Sequence, residues 1–281
     1  MTRDEARQQF AALVGVEDGA IDLARAALYL AAEEYPDLMV EDYVARLETM
    51  AREAADLPLE TAPPLGRLLA LNHYLFAEQG FAGNTYSYYD PRNSFLNEVL
   101  DRRTGIPIAL AMVYLEIAWR LELPVAGVGM PSHFIVGFYP DEGRDEAPRY
   151  VDVFHKGVLL TRDDCIARMR AQFRNFEFRD ELLAPVSKRQ ILTRMLTNLK
   201  VLYSQHEDWD RALGAVERLL LLNPDLPGEV RDRGMIHLRR GALRAAATDL
   251  ERYTELAPQA PDRKAVQEQI ELAWKLYAMR N

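Results

Sequence analysis

The stretch of this chain with the residue types for chemistry runs from residue 93 to 165. It opens NSFLNEVLDRRTGIPIALA, passes through PSHFIVGF and VDVF, and ends at Cys165. The order is a helix start, then His133 on one predicted strand, then Asp152 on the next. A Cys-His-Asp thiol site has that order. Its nucleophile stands at a helix N-terminus, where the dipole favours the thiolate, the histidine is the base and the aspartate orients it. Nineteen residues separate His133 from Asp152, a spacing that suits a hairpin bringing them side by side.

Other groups fit that chemistry less well. The single cysteine, Cys165, falls in TRDDCIARMR, a predicted helix beyond the strands. Burial as a small hydrophobe is the ordinary fate of a free cysteine, and two preceding acids disfavour its thiolate. Ser132 adjoins His133, but neighbours on a strand point to opposite faces. Thr104 has only His133 nearby as a base. His73, His133, His155, His206 and His237 show no ligand spacing of the His-x-x-x-His kind, so neither a metal nor a cofactor is expected. Glu33-Glu34 and Asp163-Asp164 read as solvated helix faces. Tyr86, Tyr88 and Tyr89 read as rings that pin their loop by burial, with one wall of a peptide cleft as the alternative. Arg231, Arg233, Arg239, Arg240 and Arg244 form a basic spot, mostly solvated or paired with Glu229 and Asp232, with the rest open to an acidic partner.

The elements that must position these residues follow from hydrophobic period. TRDEARQQFAALVG, IDLARAALYLAAEEYP and MVEDYVARLETMAREAADL carry apolar residues at helical spacing, punctuated by Pro36 and Pro58. PLGRLLALNHYLFAEQG is a further helix ending at Gly80. FAGNTYSYYDPRNS has no period and reads as an ordered loop. SFLNEVLDRRTG is a short helix, capped by Asn93 or Ser94 at its start and Gly105 at its end. Pro107 opens IALAMVYLEIAWRLEL, apolar on most faces and therefore central. VAGVG, HFIVGFY, RYVDVF and GVLL then read as strands of an antiparallel sheet. Residues 1–186 are therefore α+β, helices first and a small sheet packed on the central helix.

Residues 187–281 read as helices carrying a repeat. Aligning Pro224 with Pro258 sets a period of 34 residues. Tyr203 then meets His237, Ala212 meets Ala246 and Val216 meets Leu250, while Leu199 and Gly234 take the small or apolar positions of the first helices. A 34-residue helix–turn–helix with a mid-repeat Ala and a late Pro is the tetratricopeptide signature. Two copies and a final helix, 263–279, make a short array.

Composition sets the outer bounds. The 281 residues are 49% hydrophobic and 27% charged, with 15 Gly, 15 Pro and one Cys. Low-complexity disorder and a disulfide-stapled fold are excluded. No apolar run reaches the ~18 residues of a membrane span. The N-terminus MTRDEARQQF has no apolar signal core, so a cytoplasmic protein without membrane contact is expected. The net charge of −9 argues against nucleic acid as a partner. It is uneven: residues 187–281 hold 16 Lys+Arg against 13 Asp+Glu, or +3, leaving 18 against 30, or −12, for residues 1–186. That difference supports a boundary near 184–187, giving domains 1–186 and 187–281.

The segments NSFLNEVLDRRTGIPIALA, PSHFIVGF, VDVF and NPDLPGEVRDRG resemble the transglutaminase-like superfamily, and within it the bacterial "Sir B" type proteins. The resemblance covers about residues 35 to 275. It implies a transglutaminase-like (papain-like) core with a small antiparallel sheet, followed by tetratricopeptide repeats. Active members open the central helix with Gly-x-Cys-x-x-x-Ala. Here that motif falls on Gly105, Pro107 and Ala111, so the nucleophile position holds Pro107, while the base and its orienter fall on His133 and Asp152. Proline has no nucleophilic atom, which excludes thiol acyl transfer through this position.

The expectation is a non-catalytic protein that binds a protein or peptide. Tetratricopeptide register makes Arg194, Asn198 and Val201 of the first copy, and Arg231, Met235 and Arg239 of the second, the lining of a concave groove for a peptide or an acidic C-terminus. The alternative is a hydrolase or amide-processing enzyme with a rearranged site using His133 and Asp152. A third reading leaves that pair a purely structural role.

Overall fold

The computed structural model of the chain describes residues 1–56, 63–140 and 147–280, so Pro58 lies outside the described residues. The chain divides into two units, Met1–Leu192 and Thr193–Asn281.

The first unit begins with α1 (Arg3–Val14), α2 (Leu23–Ala32) and α3 (Val40–Ala55). Thr2 and Glu5 form a reciprocal capping box on α1, and the Asp22 side chain accepts from Arg25 N–H on α2. α4 (Pro64–Asn72) runs into a single π-helical turn, His73–Glu78, and Gly80 follows with a left-handed φ of 74°. β1 (Ala82–Gly83) and β2 (Thr104–Gly105) pair in parallel on either side of α5 (Leu96–Arg102). Neither expected cap of α5 forms. Its N-cap is Phe95, with no side-chain bond, and its end is turned by Arg103 in the left-handed region. Asn93 and Ser94 are instead buried in a 3-10 turn, and Gly105 is a strand residue.

α6 (Pro107–Arg120) is the central helix, with Pro107 at its first position. Every residue from Pro107 to Ala118 is buried. α2, α3 and α5 contact it, as do the first two strands of the sheet that follows, β3 (Val125–Val128) and β4 (Ile135–Phe138). Each Leu, Ile or Val side chain removed from water here contributes roughly 1.5–3 kcal/mol before its entropy is counted.

β5 (Arg149–Asp152) and β6 (Val158–Leu160) extend the sheet, α7 (Arg162–Gln172) follows, and β7 (Pro185–Val186) closes the far edge. The order is β6-β5-β4-β3-β7, all antiparallel. His133 precedes β4 instead of lying on it, because Pro131 and Ser132 make a turn there. His133 N–H donates to Met130 O at 3.2 Å, and Ser132 takes φ 57°.

α8 (Lys188–Gln205) starts in the first unit, where Asp18 accepts from the N–H groups of Lys188 and Arg189 at 3.2 and 2.8 Å. The second unit continues with α9 (Trp209–Leu222), α10 (Pro227–Arg239), α11 (Leu243–Leu256) and α12 (Arg263–Arg280). The residues matched by the 34-residue shift share one environment: Ala212, Ala246, Val216 and Leu250 are all fully buried. Gly234 allows α10 to close on α11, since a Cβ there would fall 2.8 Å from Leu250 Cγ. Among the described residues, no helix is long and apolar enough to cross a membrane.

Candidate functional site

Asp152, at the end of β5, is fully buried, yet four donors converge on its carboxylate. His133 Nε2 lies 3.0 Å from Oδ1 and His155 Nδ1 lies 2.8 Å from Oδ2. His155 N–H donates to Oδ1 at 3.2 Å, and Arg168 Nη1 from α7 donates to Oδ2. Burial alone would push the pKa of this carboxyl up. The hydrogen bonds and charge of His133, then of His155, outweigh it and hold Asp152 well below the usual carboxylate range. His133 uses Nε2 for this contact, which leaves Nδ1 as its second polar atom.

Position comes from turns. The left-handed Ser132 aims the His133 ring, and left-handed Lys156 and Gly157 reverse the chain after β5, so that Gly157 N–H reaches Asp152 O at 2.8 Å. Between them stands Phe154. Its ring meets the edge of His133 at 6.3 Å and Tyr88 at 6.0 Å, centroid to centroid. Its carbonyl accepts from Gly83 N–H at 3.1 Å. Gly83 pairs with Gly105, two residues before Pro107, so a short chain of contacts links the start of α6 to the His133–Asp152 pair.

Two buried asparagines fix the loop between β1 and α5. Asn84 Nδ2 donates to Asn93 Oδ1 at 3.0 Å, and Asn93 Nδ2 donates to Ser87 O at 2.7 Å. Asn93 O also accepts from Ile106 N–H at 3.1 Å, tying the loop to the helix start. The expectation that tyrosine rings pin this loop is corrected: Tyr86 is 100% exposed and Tyr89 70%. Amide side chains do most of the pinning, the Tyr86 and Tyr89 rings project, and Tyr88 packs against Phe154.

Cys165 is fully buried in a cluster with Val128, Ile135, Tyr150 and Met169. Burial pushes its thiol up to about 12, too high for a nucleophile near neutral pH. Glu33 is also buried, against the expectation of a solvated face, and pairs with Arg7 at 3.3 Å. Asp164 completes a capping box with Thr161 at the start of α7.

In the second unit, a groove of about 460 Å³ between α8 and α10 brings together Val201, Met235 and Arg239, beside Lys200, Trp209 and Ile236. Arg194, Asn198 and Arg231 are not part of its lining. Arg231 is committed elsewhere, to Asp262 at 2.8 Å and Asp232 at 3.1 Å. The expected pairing of the arginines with Glu229 and Asp232 is largely replaced. Lys200 holds Glu229 and Asp232 at 2.9 and 2.7 Å, Arg233 holds Asp249 at 2.6 Å and Arg240 holds Asp210 at 2.6 Å. Arg239 lies 6.0 Å over the Trp209 ring.

Sequence reasoning missed His155, Arg168, Phe154 and Asn84. His155 follows Asp152 by three residues, and that close spacing before Lys156-Gly157 was the available signal.

A helical layer, a buried central helix opened by a proline, a five-stranded antiparallel sheet carrying a His–Asp pair, and a 34-residue helical repeat define a two-part protein. The chain belongs to the transglutaminase-like superfamily: the family model so described matches residues 41–197, and a tetratricopeptide repeat model matches 199–271. Among curated relatives it is 38% identical over 257 residues to a UPF0162 protein of Xylella fastidiosa strain Temecula1, covering 88% of each chain. It is 28% identical over 238 residues to Protein SirB1 of Salmonella typhimurium, covering 84% of this chain and 86% of the relative. It is 27% identical over 260 residues to a UPF0162 protein of Vibrio cholerae, covering 89% and 92%.

Proposed function

We propose that this chain is a non-catalytic interaction protein of the cytoplasm, binding a protein or peptide segment through its repeat unit. The observation that carries the reading is the groove between α8 and α10, where Val201, Met235 and Ile236 supply apolar lining and Arg239 a cation. Tetratricopeptide repeats generally serve protein interaction through such faces. The transglutaminase-like unit supports it from the other side. Pro107 stands first in the central helix, where the superfamily motif calls for the thiol. The lone cysteine is fully buried, and burial holds its thiol too high for a nucleophile. A photo-crosslinking residue at Val201 tests the proposal. It should capture a defined polypeptide, and Met235→Asp with Arg239→Ala should abolish that capture. Crosslinking indifferent to both changes would defeat it.

A second reading rests on the intact contact of His133 Nε2 with Asp152 at 3.0 Å. An oriented imidazole next to an ionised carboxylate can activate water for hydrolysis of an amide or ester. Turnover of such substrates that disappears in His133→Ala and persists in Cys165→Ser would establish it.

A further inference from the structure

The residues around Asp152 gather more than a triad's base and orienter. His133 Nε2, an Asp152 carboxylate oxygen and His155 Nδ1 all lie within 4.8 Å of one another, the one such group among the described residues. The three come from the turn before β4, the last residue of β5 and the turn after it. Two imidazoles and one carboxylate are the donor set preferred by borderline divalent ions such as Zn²⁺ and Co²⁺. We propose that His133, Asp152 and His155 form a site for a divalent transition metal of the zinc class, with its remaining coordination facing solvent.

The geometry requires little movement. Tetrahedral ligands at about 2.0–2.1 Å from zinc lie roughly 3.3 Å from each other. The observed separations are 3.0 Å from His133 Nε2 to Asp152 Oδ1 and 2.8 Å from His155 Nδ1 to Asp152 Oδ2, and the three groups lie within 4.8 Å of one another. Each ring already points the required nitrogen at the carboxylate. On binding, each imidazole must be neutral with its one proton on the ring nitrogen away from the ion, so a ring that carries two protons beforehand releases one to solvent. The carboxylate keeps two donors outside the site, His155 N–H at 3.2 Å and Arg168 Nη1. Donors of this kind orient ligating carboxylates in metal centres. The His155 side chain is 56% exposed, which gives the ion its entry and its open positions. Arg168 opposes the ion by charge and weakens its binding. His73, His206 and His237 belong to no such group, so the stoichiometry is one.

Titration of untagged full-length protein with Zn²⁺ by calorimetry, and with Co²⁺ by visible absorption, tests the site. One equivalent should bind at micromolar concentration, and the Co²⁺ spectrum should show the intense bands of low coordination number. His155→Ala removes an exposed ring and should weaken binding at least tenfold, as should His133→Ala. Arg168→Gln keeps a donor, removes the opposing charge and should tighten binding severalfold. In the unaltered protein, Zn²⁺ should also shield His133 and His155 from diethylpyrocarbonate, read by mass spectrometry. Absence of binding below millimolar Zn²⁺, or affinity indifferent to His155→Ala, would overturn the site, as would unshielded His133 and His155. These readouts are confined to the first unit, and crosslinking at Val201 reports on the second.

Discussion

Gly83 lies against the face of Phe154 so closely that a Cβ on it would fall 2.4 Å from Phe154 Cδ2. The strand bridge beside α6 and the turn carrying His155 therefore meet with no room for a side chain. Gly83→Ala must push the Phe154 ring toward His133 and Tyr88. Overpacking of this kind costs about 1–3 kcal/mol. Thermal unfolding should show that loss, and Phe154→Leu in the same chain should recover part of it.

Asp152→Asn leaves His133, His155 and Arg168 without their charged acceptor. Breaking a buried ionic cluster from one side costs about 3 kcal/mol. The pH dependence has a defined sign. Asp152 is held below its unfolded value of about 3.9, so its contribution is full above that value and fades as pH falls through the lower folded value. Denaturant titrations of the two proteins should differ most near and above about pH 5, begin to approach one another as pH falls below about 4, and meet only well below it. A difference that grows on acidification would show that the carboxyl is not held ionised.

The superfamily geometry makes a test of Pro107. In a Cys165→Ser background, Pro107→Cys places a thiol at the N-terminus of α6. Helix dipole and nearby imidazole should depress its pKa below the roughly 8.5 of free cysteine. Iodoacetamide should react with it readily near neutral pH, and His133→Ala should slow the reaction. The fold should tolerate the change, because proline at a first helical position contributes no hydrogen bond. An ordinary pKa, insensitive to His133, would show that the helix start and the pair no longer face one another.

The native thiol should behave oppositely. Cys165, raised to about 12 by burial, should resist alkylation in the folded protein and react fully in denaturant. Glutamine–amine transfer should be absent, with or without Cys165→Ser. Turnover lost on that substitution would make the thiol catalytic.

What the sequence discloses depends on how local the signal is. The apolar run Pro107–Ala118, the short Val-, Ile- and aromatic-rich runs of β3 to β5 bounded by Gly, Pro and Asp, and the 34-residue shift are each carried by neighbouring residues, and each gave its element. The left-handed Arg103 at the end of α5 was invisible because Gly105, two residues on, was the stronger sign of a cap. His155 left only a weak signal, its three-residue spacing from Asp152, because the turn at Lys156-Gly157 and the approach of Arg168 to the same carboxylate from another helix are tertiary outcomes. The tyrosines misled because ring burial is a tertiary outcome, settled here by the Asn84–Asn93 pair. Of the groove, register alone picked out Val201, Met235 and Arg239. Arg231 left it for a partner 31 residues away.

The enclosure of α6 bears on how the protein is made. Helices α2, α3 and α5 emerge from the ribosome before it and the strands β3 and β4 after it, and β3 is not flanked on both sides until Pro185 and Val186 arrive. The first unit therefore cannot close its core as it is synthesised. Its N-terminal helices wait, with their apolar faces uncovered, for about two thirds of the chain. The repeat helices make most of their contacts with sequence neighbours, α9 with α10, α10 with α11 and α11 with α12, so their packing is local in the chain. A chain exposed only to a point before residue 185 lacks the strand that flanks β3, and the first unit is complete only once Leu192 has also emerged.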